Sequence, residues 1–218
     1  MKQKKTKLTI IDKTLAQPTD NLRFEEELLD HCDANPSGGF LRFWESSVYF
    51  IVLGRSNKAE VEVNISQCKQ DQIPILRRVS GGGTVLQGPG CLNYALILPL
   101  HHDPALHLID TSNQYILEKN CHALKKSIPD ISVKGYTDIA IKQKKISGNA
   151  QRRKKNALLF HGTFLVNFKL DLIEKYLLMP SKQPNYRENR SHLNFIQNCN
   201  NYITKTQIKE TLSYEWKN

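Results

Sequence analysis

Cysteine is scarce in this chain, and no two cysteines lie close together. Cys32, Cys68, Cys91, Cys121 and Cys199 are odd in number, widely scattered and form no C-x-x-C pair. Neither a disulfide framework nor a zinc site is indicated, and a reducing cytoplasm is the compartment that fits. Long apolar runs are missing as well. Residues 1–7 are basic, but the apolar stretch at 8–11 is far too short for the core of a secretion signal, and no run approaches the length of a membrane span. A soluble intracellular protein with no membrane partner is expected. Acid is short relative to base, 21 Asp+Glu against 31 Lys+Arg for a net charge of +10. That balance favours an acidic partner such as nucleic acid, a nucleotide or an acidic protein, without choosing among them. Internal repeats, low-complexity tracts and clear linkers are absent. So are the phosphate-binding patterns G-x-x-x-x-G-K-[ST] and G-x-G-x-x-G. At 218 residues the chain is long enough to bury a substantial core within one domain.

What is present reads as alternating strands and helices. Residues 8–12 are β-branched, and Pro18-Thr19-Asp20 supplies helix-start chemistry for a helix over about 19–33. Residues 40–44 and 48–53 are strand-like runs separated by three residues, which predicts a hairpin. Residues 58–71 read as a loop entering a helix, and 73–79 and 92–98 as strands on either side of a glycine loop. Helical spacing without internal proline or glycine predicts a long helix over 104–127. Further strands are expected at 133, 139–141 and 157–166, the last two flanking a lysine-bearing turn. A short helix at 170–178, a basic loop at 180–191 and helices at 191–199 and 206–216 complete the pattern. Strands mixed with helices in this order predict an α/β or α+β fold with a mixed, partly antiparallel sheet.

Two stretches carry chemistry. Arg77-Arg78-Val79-Ser80-Gly81-Gly82-Gly83-Thr84-Val85 joins two guanidinium groups to a loop whose backbone can turn sharply or approach a ligand closely. Its amides suit an anion. Lys144-Lys145-Ile146-Ser147-Gly148-Asn149-Ala150-Gln151-Arg152 sets lysine beside a second small-residue segment. An ammonium fixed in a cleft at Lys145 would bridge a carboxylate oxygen and an α-phosphate. Its neighbours Lys142, Lys144, Lys154 and Lys155 read as solvated surface groups, and His161, at the end of an apolar strand, as a structural histidine.

These stretches, followed by His161-Gly162-Thr163-Phe164-Leu165, resemble the ordered signature of the lipoate-protein ligase family. Supporting matches are the helix around 21–29, Leu41-Arg42-Phe43-Trp44, Gly54-Arg55-Ser56-Asn57 with Glu62 and Asn64 behind it, and Asp138 before the lysine strand. The resemblance spans about 19–200. It implies the catalytic-domain fold of biotin ligases and class II aminoacyl-tRNA synthetases, and an enzyme that converts lipoate and ATP with magnesium to lipoyl-AMP. The acyl group then passes to a lysine of a lipoyl domain, in a 2-oxoacid dehydrogenase or a glycine cleavage H protein, commonly acidic. Carried over residue by residue, Lys145 is the catalytic group on the acyl carbonyl and α-phosphate. Arg78, Ser80, Gly81, Gly82, Gly83, Asn93, Gly148, Asn149, Gly162 and Thr163 belong to the acyl-adenylate pocket, and His161 to the floor of the acyl tunnel. Asp138 is the candidate for the nucleotide or magnesium side, and Val79, Val85 and Tyr94 are candidates for the apolar channel. Gln87-Gly88 stands where many ligases read His-Asp. The two-domain members carry a C-terminal accessory domain, whereas this chain reads as one catalytic domain, so a separate accessory subunit is implied as a partner.

Two rivals remain at this point. An octanoyl or lipoyl transferase would need no ATP but would need a cysteine nucleophile, and 132–137, where related enzymes place it, contains no thiol. A nucleic-acid-binding module is suggested by the net charge and by Arg152-Arg153-Lys154-Lys155, a run that would equally serve an acidic lipoyl domain.

Overall fold

The computed structural model describes residues 7–218, so most of the basic stretch at 1–7 lies outside the described residues. Strand β1 (Lys7–Asp12) leads into α1 (Pro18–Ala34), where proline opens the first turn. The buried positions of α1, Pro18, Asn21, Leu22, Glu25, Leu28, Leu29 and Cys32, recur at helical spacing. The chain returns as β2 (Gly38–Trp44), then passes through β3 (Phe50–Leu53), the short helices α2 (Ala59–Glu62) and α3 (Ile65–Gln70), and strands β4 (Ile75–Arg77), β5 (Val85–Gln87) and β6 (Cys91–Pro99). Two 3-10 turns (Leu100–His102 and Pro104–His107) and α4 (Ile109–Leu124) precede β7 (Ile131–Lys134), β8 (Asp138–Ile141), β9 (Lys144–Arg153) and β10 (Ala157–Leu165). Helices α5 (Asp171–Tyr176), α6 (His192–Phe195) and α7 (Lys205–Lys217) close the chain, the last opened by a Thr204–Gln207 capping box.

Seven strands form one sheet in the order β1-β2-β6-β10-β9-β8-β7, with β1 parallel to β2 and the other pairs antiparallel. A three-stranded sheet, β4-β3-β5, lies apart from it. The mixed α/β expectation is met, but the hairpin is not. β2 pairs with β1 and β6, whereas β3 pairs with β4 and β5, so the short link at 45–49 crosses between two sheets. The lysine-bearing turn is also corrected: residues 144–153 are a ten-residue strand inside the large sheet. The helix expected at 191–199 contracts to His192–Phe195, and 58–71 holds two short helices.

Alternation along the central strands decides where the site lies. On β6, Leu92, Tyr94, Leu96 and Leu98 join the core under α4 and α7, while Ala95 and Ile97 pack under α1. On β10, Leu158, Phe160 and Phe164 face α4, and Ala157 and Leu159 face α1. The period of two then carries Asn93, His161 and Thr163 to the α1 face, where the small sheet stands over them. No helix among the described residues is long and apolar enough to cross a membrane.

Candidate active site

Between the two sheets lies a cavity of about 1040 Å³. Its lining combines a cluster of apolar side chains, Leu22, Trp44, Val52 and Val85, with charged ones that include Lys145, Asp138 and Arg187. A chamber lined by both kinds of group suits an amphiphile with an acidic head. Of the three channel candidates only Val85 borders it. Val79 packs toward α1, and Tyr94, on the opposite face of β6, belongs to the core under α4.

The glycine loop is held by its own arginines. Arg78 donates from Nη2 to the carbonyls of Gly81 and Gly83 at 2.6 and 2.8 Å, from Nε to Ser80 Oγ at 3.0 Å and from Nη1 to the carbonyl of Val52 at 3.3 Å. Burial draws its pKa down to about 10, against the pull of Glu25 and Glu62. Arg77 gathers the carbonyls of Gly54, Arg55 and Asn57. With loop carbonyls gathered by guanidinium groups, the N–H groups of Gly81, Gly82 and Gly83 have no protein acceptor among the described residues and remain available to an anion. Gly82, at φ +86°, needs glycine for its conformation, and Gly54 needs it because a Cβ there would meet the Gly82 carbonyl oxygen at 2.2 Å.

Lys145 stands at the start of β9, next to a bulge at Ile146, where pairing steps from Ile139–Ser147 to Ala140–Lys145. Its chain folds over Gly148, whose absent side chain leaves room for the ammonium: a Cβ there would lie 2.6 Å from Lys145 Nζ. Lys145 Nζ is 2.7 Å from Asp138 Oδ1, and Tyr186 donates its hydroxyl to Asp138 Oδ2 at 2.7 Å. One carboxylate thus holds the ammonium and pins the loop at 185–187. The lysine is one-quarter exposed, at 26%, and its neighbour Lys144 is exposed.

On the floor, His161 Nδ1 lies 2.6 Å from Glu25 Oε2 and Nε2 lies 2.6 Å from Ser80 Oγ. Arg78 donates to that same hydroxyl, so Ser80 has its own hydrogen left for the imidazole, and a neutral ring donating from Nδ1 to Glu25 satisfies the chain. Glu25 also accepts from Trp44 Nε1 at 2.7 Å and lies 4.0 Å from the fully buried Arg42. Farther along, Gln87 donates to Thr163 Oγ1 at 3.0 Å and Thr163 to Asn93 Oδ1 at 2.5 Å, which leaves Asn93 Nδ2 and Gln87 Oε1 buried without a protein partner. Such orphaned groups in a cavity wall are places for ligand atoms. Glu62 accepts from Asn57, Thr84 and Ser181. Burial works to raise its pKa, but those hydrogen bonds outweigh burial and hold it below the usual carboxylate value.

Arg78, Gly82, Gly83, Asn93, Asp138, Lys145, Gly148, Asn149, His161, Gly162 and Thr163 all border the cavity. Ser80 stands behind it, holding His161, and Gly81 borders a smaller adjoining cleft with Gly82. Asn149 departs from the expectation in one respect, because its carboxamide is engaged on the other side of the sheet. Tyr94 and Asn149 both pair with Gly162, whose missing side chain lets Asn149 Oδ1 accept from the Tyr94 hydroxyl at 2.7 Å. A Cβ on Gly162 would fall 1.8 Å from Asn149 Oδ1. Asn120 Nδ2 donates to the same hydroxyl at 3.1 Å, Trp216 Nε1 donates to Asn120 Oδ1 at 2.8 Å, and Asn149 Nδ2 donates to the carbonyl of Thr137 at 2.7 Å. Sequence reading missed Glu25, Tyr186 and Arg187. Glu25 had a signal, a carboxylate on the apolar stripe of a helix.

Residues 17–216 match the family described as the lipoyl protein ligase A/B catalytic domain. A probable lipoate-protein ligase A of Mycoplasma genitalium is 27% identical, covering 93% of this chain and 64% of its own length. The lipoate-protein ligase A of Psychrobacter cryohalolentis is 31% identical, covering 78% and 47% respectively. The chain therefore spans between about half and two-thirds of the length of these relatives. Among solved structures, a bi-partite lipoate protein ligase from Thermoplasma acidophilum superposes with a TM-score of 0.75 at 20% identity, over 98% of this chain and 83% of that one. With the Arg78 loop, Lys145 on β9 and His161 on β10 meeting at one cavity, and with nearly the whole chain matched, this chain belongs to the lipoyl protein ligase A/B catalytic domain family.

Proposed function

We propose that this chain activates lipoate with ATP and passes the lipoyl group to a lysine on an acidic lipoyl domain. The observation that carries this reading is the Lys145 ammonium, held by Asp138 in a cavity that it shares with a glycine loop and an apolar cluster. The carboxylate of lipoate attacks the α-phosphorus of ATP, and pyrophosphate leaves. The acceptor lysine, as its free amine, then attacks the acyl carbonyl, the carbonyl–phosphate C–O bond breaks with AMP as the leaving group, and the nitrogen gives up one proton to solvent. Lys145 neutralises charge on the carbonyl oxygen and α-phosphate in both steps. The loop amides of Gly82 and Gly83 offer donors to the phosphate, and Asn93, Thr163 and His161 line the acyl path. Other lipoate-protein ligases of this fold have been solved with lipoate and with ATP bound, and the bi-partite T. acidophilum ligase was described together with its E2 lipoyl domain. An H protein as a second acceptor, and a separate accessory subunit that assists adenylation, belong to the same reading, as does action in the cytoplasm.

Magnesium would be held mainly by the nucleotide phosphates, with one or two protein carboxylates. Asp138, which borders the cavity, is the carboxylate we assign to it, and its two oxygens also hold Lys145 Nζ and the Tyr186 hydroxyl. When bound, magnesium offsets phosphate charge.

The thiols speak against a thioester route. All five cysteines are buried and none borders the cavity. Burial pushes the Cys32 thiol up to about 11 and those of Cys121 and Cys199 to about 12, and raises Cys68 and Cys91 as well. Replacing all five with serine is expected to leave transfer alive in every variant that folds, and loss traceable to one thiol in a folded variant would instead reveal a thioester. The whole reading is tested by mass spectrometry of an apo lipoyl domain incubated with this protein, lipoate, ATP and magnesium, with octanoyl carrier protein as the alternative donor. A lysine adduct that requires ATP is expected. An adduct formed from octanoyl carrier protein without ATP, or no adduct, overturns the reading.

A further inference from the structure

Two arginines, Arg187 and Arg190, lie three residues apart in the loop that Tyr186 ties to Asp138, and their surroundings differ. Arg190 is satisfied by main chain: Nε donates to the carbonyl of Arg187 at 3.0 Å, Nη1 to that of Gln143 at 3.0 Å and Nη2 to that of Tyr186 at 2.5 Å. Arg187 is more deeply buried, at 5% exposure, and borders the cavity. Its Nε donates to the carbonyl of Arg190 at 3.1 Å, while Nη2 has only Met179 Sδ at 3.5 Å and His192 Nδ1 at 3.4 Å. Nη1 has no acceptor among the described residues, and no carboxylate there lies within ion-pairing distance of this guanidinium. The ring of Phe195 lies against it, 4.8 Å from the guanidinium carbon to the centroid.

A desolvated cation with neither a counter-charge nor a full set of acceptors is unfavourable unless something supplies them. The turn that presents it is strained as well, with Glu188 at φ 52° and Asn189 at φ 56°, left-handed values in residues that are not glycine. Docking is specific. Tyr186, the adjacent residue, donates to the carboxylate that holds Lys145, so one acid places both cations on one cavity. Lys145 is already assigned to the α-phosphate side.

We propose that Arg187 receives the β- and γ-phosphates of the nucleotide and holds the departing pyrophosphate. The proposal rests on the adenylation reading given above. In that step a carboxylate oxygen of the acid bonds to the α-phosphorus as the bond from that phosphorus to the β-bridging oxygen breaks. The electron pair leaves with pyrophosphate, and no proton moves. Negative charge grows on the leaving group, where a forked, permanently charged donor is most effective.

The test separates the site from the reaction. Inorganic pyrophosphate and AMP are titrated separately into the wild-type chain, Arg187→Gln and Arg187→Lys by calorimetry, with circular dichroism to confirm folding. Wild type is expected to bind pyrophosphate, with Arg187→Gln weaker by about tenfold or more, Arg187→Lys in between, and AMP affinity within about twofold throughout. ATP–pyrophosphate exchange is expected to fall roughly a hundredfold in Arg187→Gln, while transfer from synthetic lipoyl-AMP stays within about twofold, because that substrate has no β-phosphate. If the glutamine variant does not fold, the lysine variant is read alone. Absence of wild-type pyrophosphate binding, equal pyrophosphate affinity in a folded variant, or equal loss in both half-reactions overturns the proposal. Arg187-dependent pyrophosphate binding in a protein that lipoylates nothing would leave the phosphate site standing and remove the lipoylation reading instead.

Discussion

Lys145→Ala is expected to reduce lipoyl-AMP formation and acyl transfer by about two to three orders of magnitude, the usual penalty for removing one preorganised charge-stabilising donor. The fold should persist. Lys145 is one-quarter exposed, and its partner Asp138 keeps the Tyr186 hydroxyl, so the stability change is expected within about 1–2 kcal/mol. Both half-reactions should fall together, because the ammonium serves the carbonyl and the phosphate in each. That separates it from Arg187→Gln, which is expected to affect adenylation alone. Pyrophosphate release and gel-shift lipoylation, run beside a thermal melt, check the prediction. A variant that melts normally and turns over within tenfold of wild type would remove Lys145 from the mechanism.

The largest effect on stability is expected at Glu25, which borders the same cavity. Arg42 is wholly buried and its nearest carboxylate is Glu25, at 4.0 Å. Burial lowers the pKa of Arg42 and Glu25 opposes that shift. Glu25→Ala would remove the counter-charge and leave Trp44 Nε1 and His161 Nδ1 without acceptors, an expected loss of about 3–5 kcal/mol by chemical denaturation. Glu25→Gln keeps an amide oxygen for Trp44 but turns an NH2 toward His161 Nδ1, so it loses the charge and the imidazole's acceptor, for which about 1–3 kcal/mol is expected. A loss below 1 kcal/mol for the alanine variant would mean that the carbonyls of Lys13 and Asn21 and the Asn21 side chain suffice for Arg42.

The sequence made much of the site legible because its glycines and lysine are local in their logic. Gly82 needs its conformation, Gly148 makes room for Lys145, and Gly162 makes room for Asn149. Long-range choices were not legible. Residues 144–153 contain one β-branched residue, Ile146, and nothing in their pattern distinguishes a turn from a strand. Pairing with β10 on one side and β8 on the other decides it. The runs at 40–44 and 48–53 look like a hairpin because the link is short. Each run has better partners elsewhere, and a short link permits pairing without requiring it. Val79 and Val85 are equivalent in sequence, yet only the second borders the cavity, since the glycine loop between them reverses the chain. Arg187 stands in a loop with no periodicity, and its role depends on Tyr186 reaching Asp138 across 48 residues of chain.

The hydrogen-bond chain from Trp216 through Asn120 and Tyr94 to Asn149 begins at a donor-only indole and ends at an acceptor-only carbonyl, so every amide along it has one permitted orientation. The protein has two tryptophans. The indole of Trp216 terminates this chain behind β9, and that of Trp44 terminates the Glu25 chain at the cavity wall. In a nitrogen-edited proton spectrum the folded chain therefore carries two indole signals, one tied to each side of the large sheet. A ligand packed against Trp44 moves its signal directly, and one that shifts β9 reaches Trp216 through the buried amides, so the two resonances report on the two faces of the sheet separately.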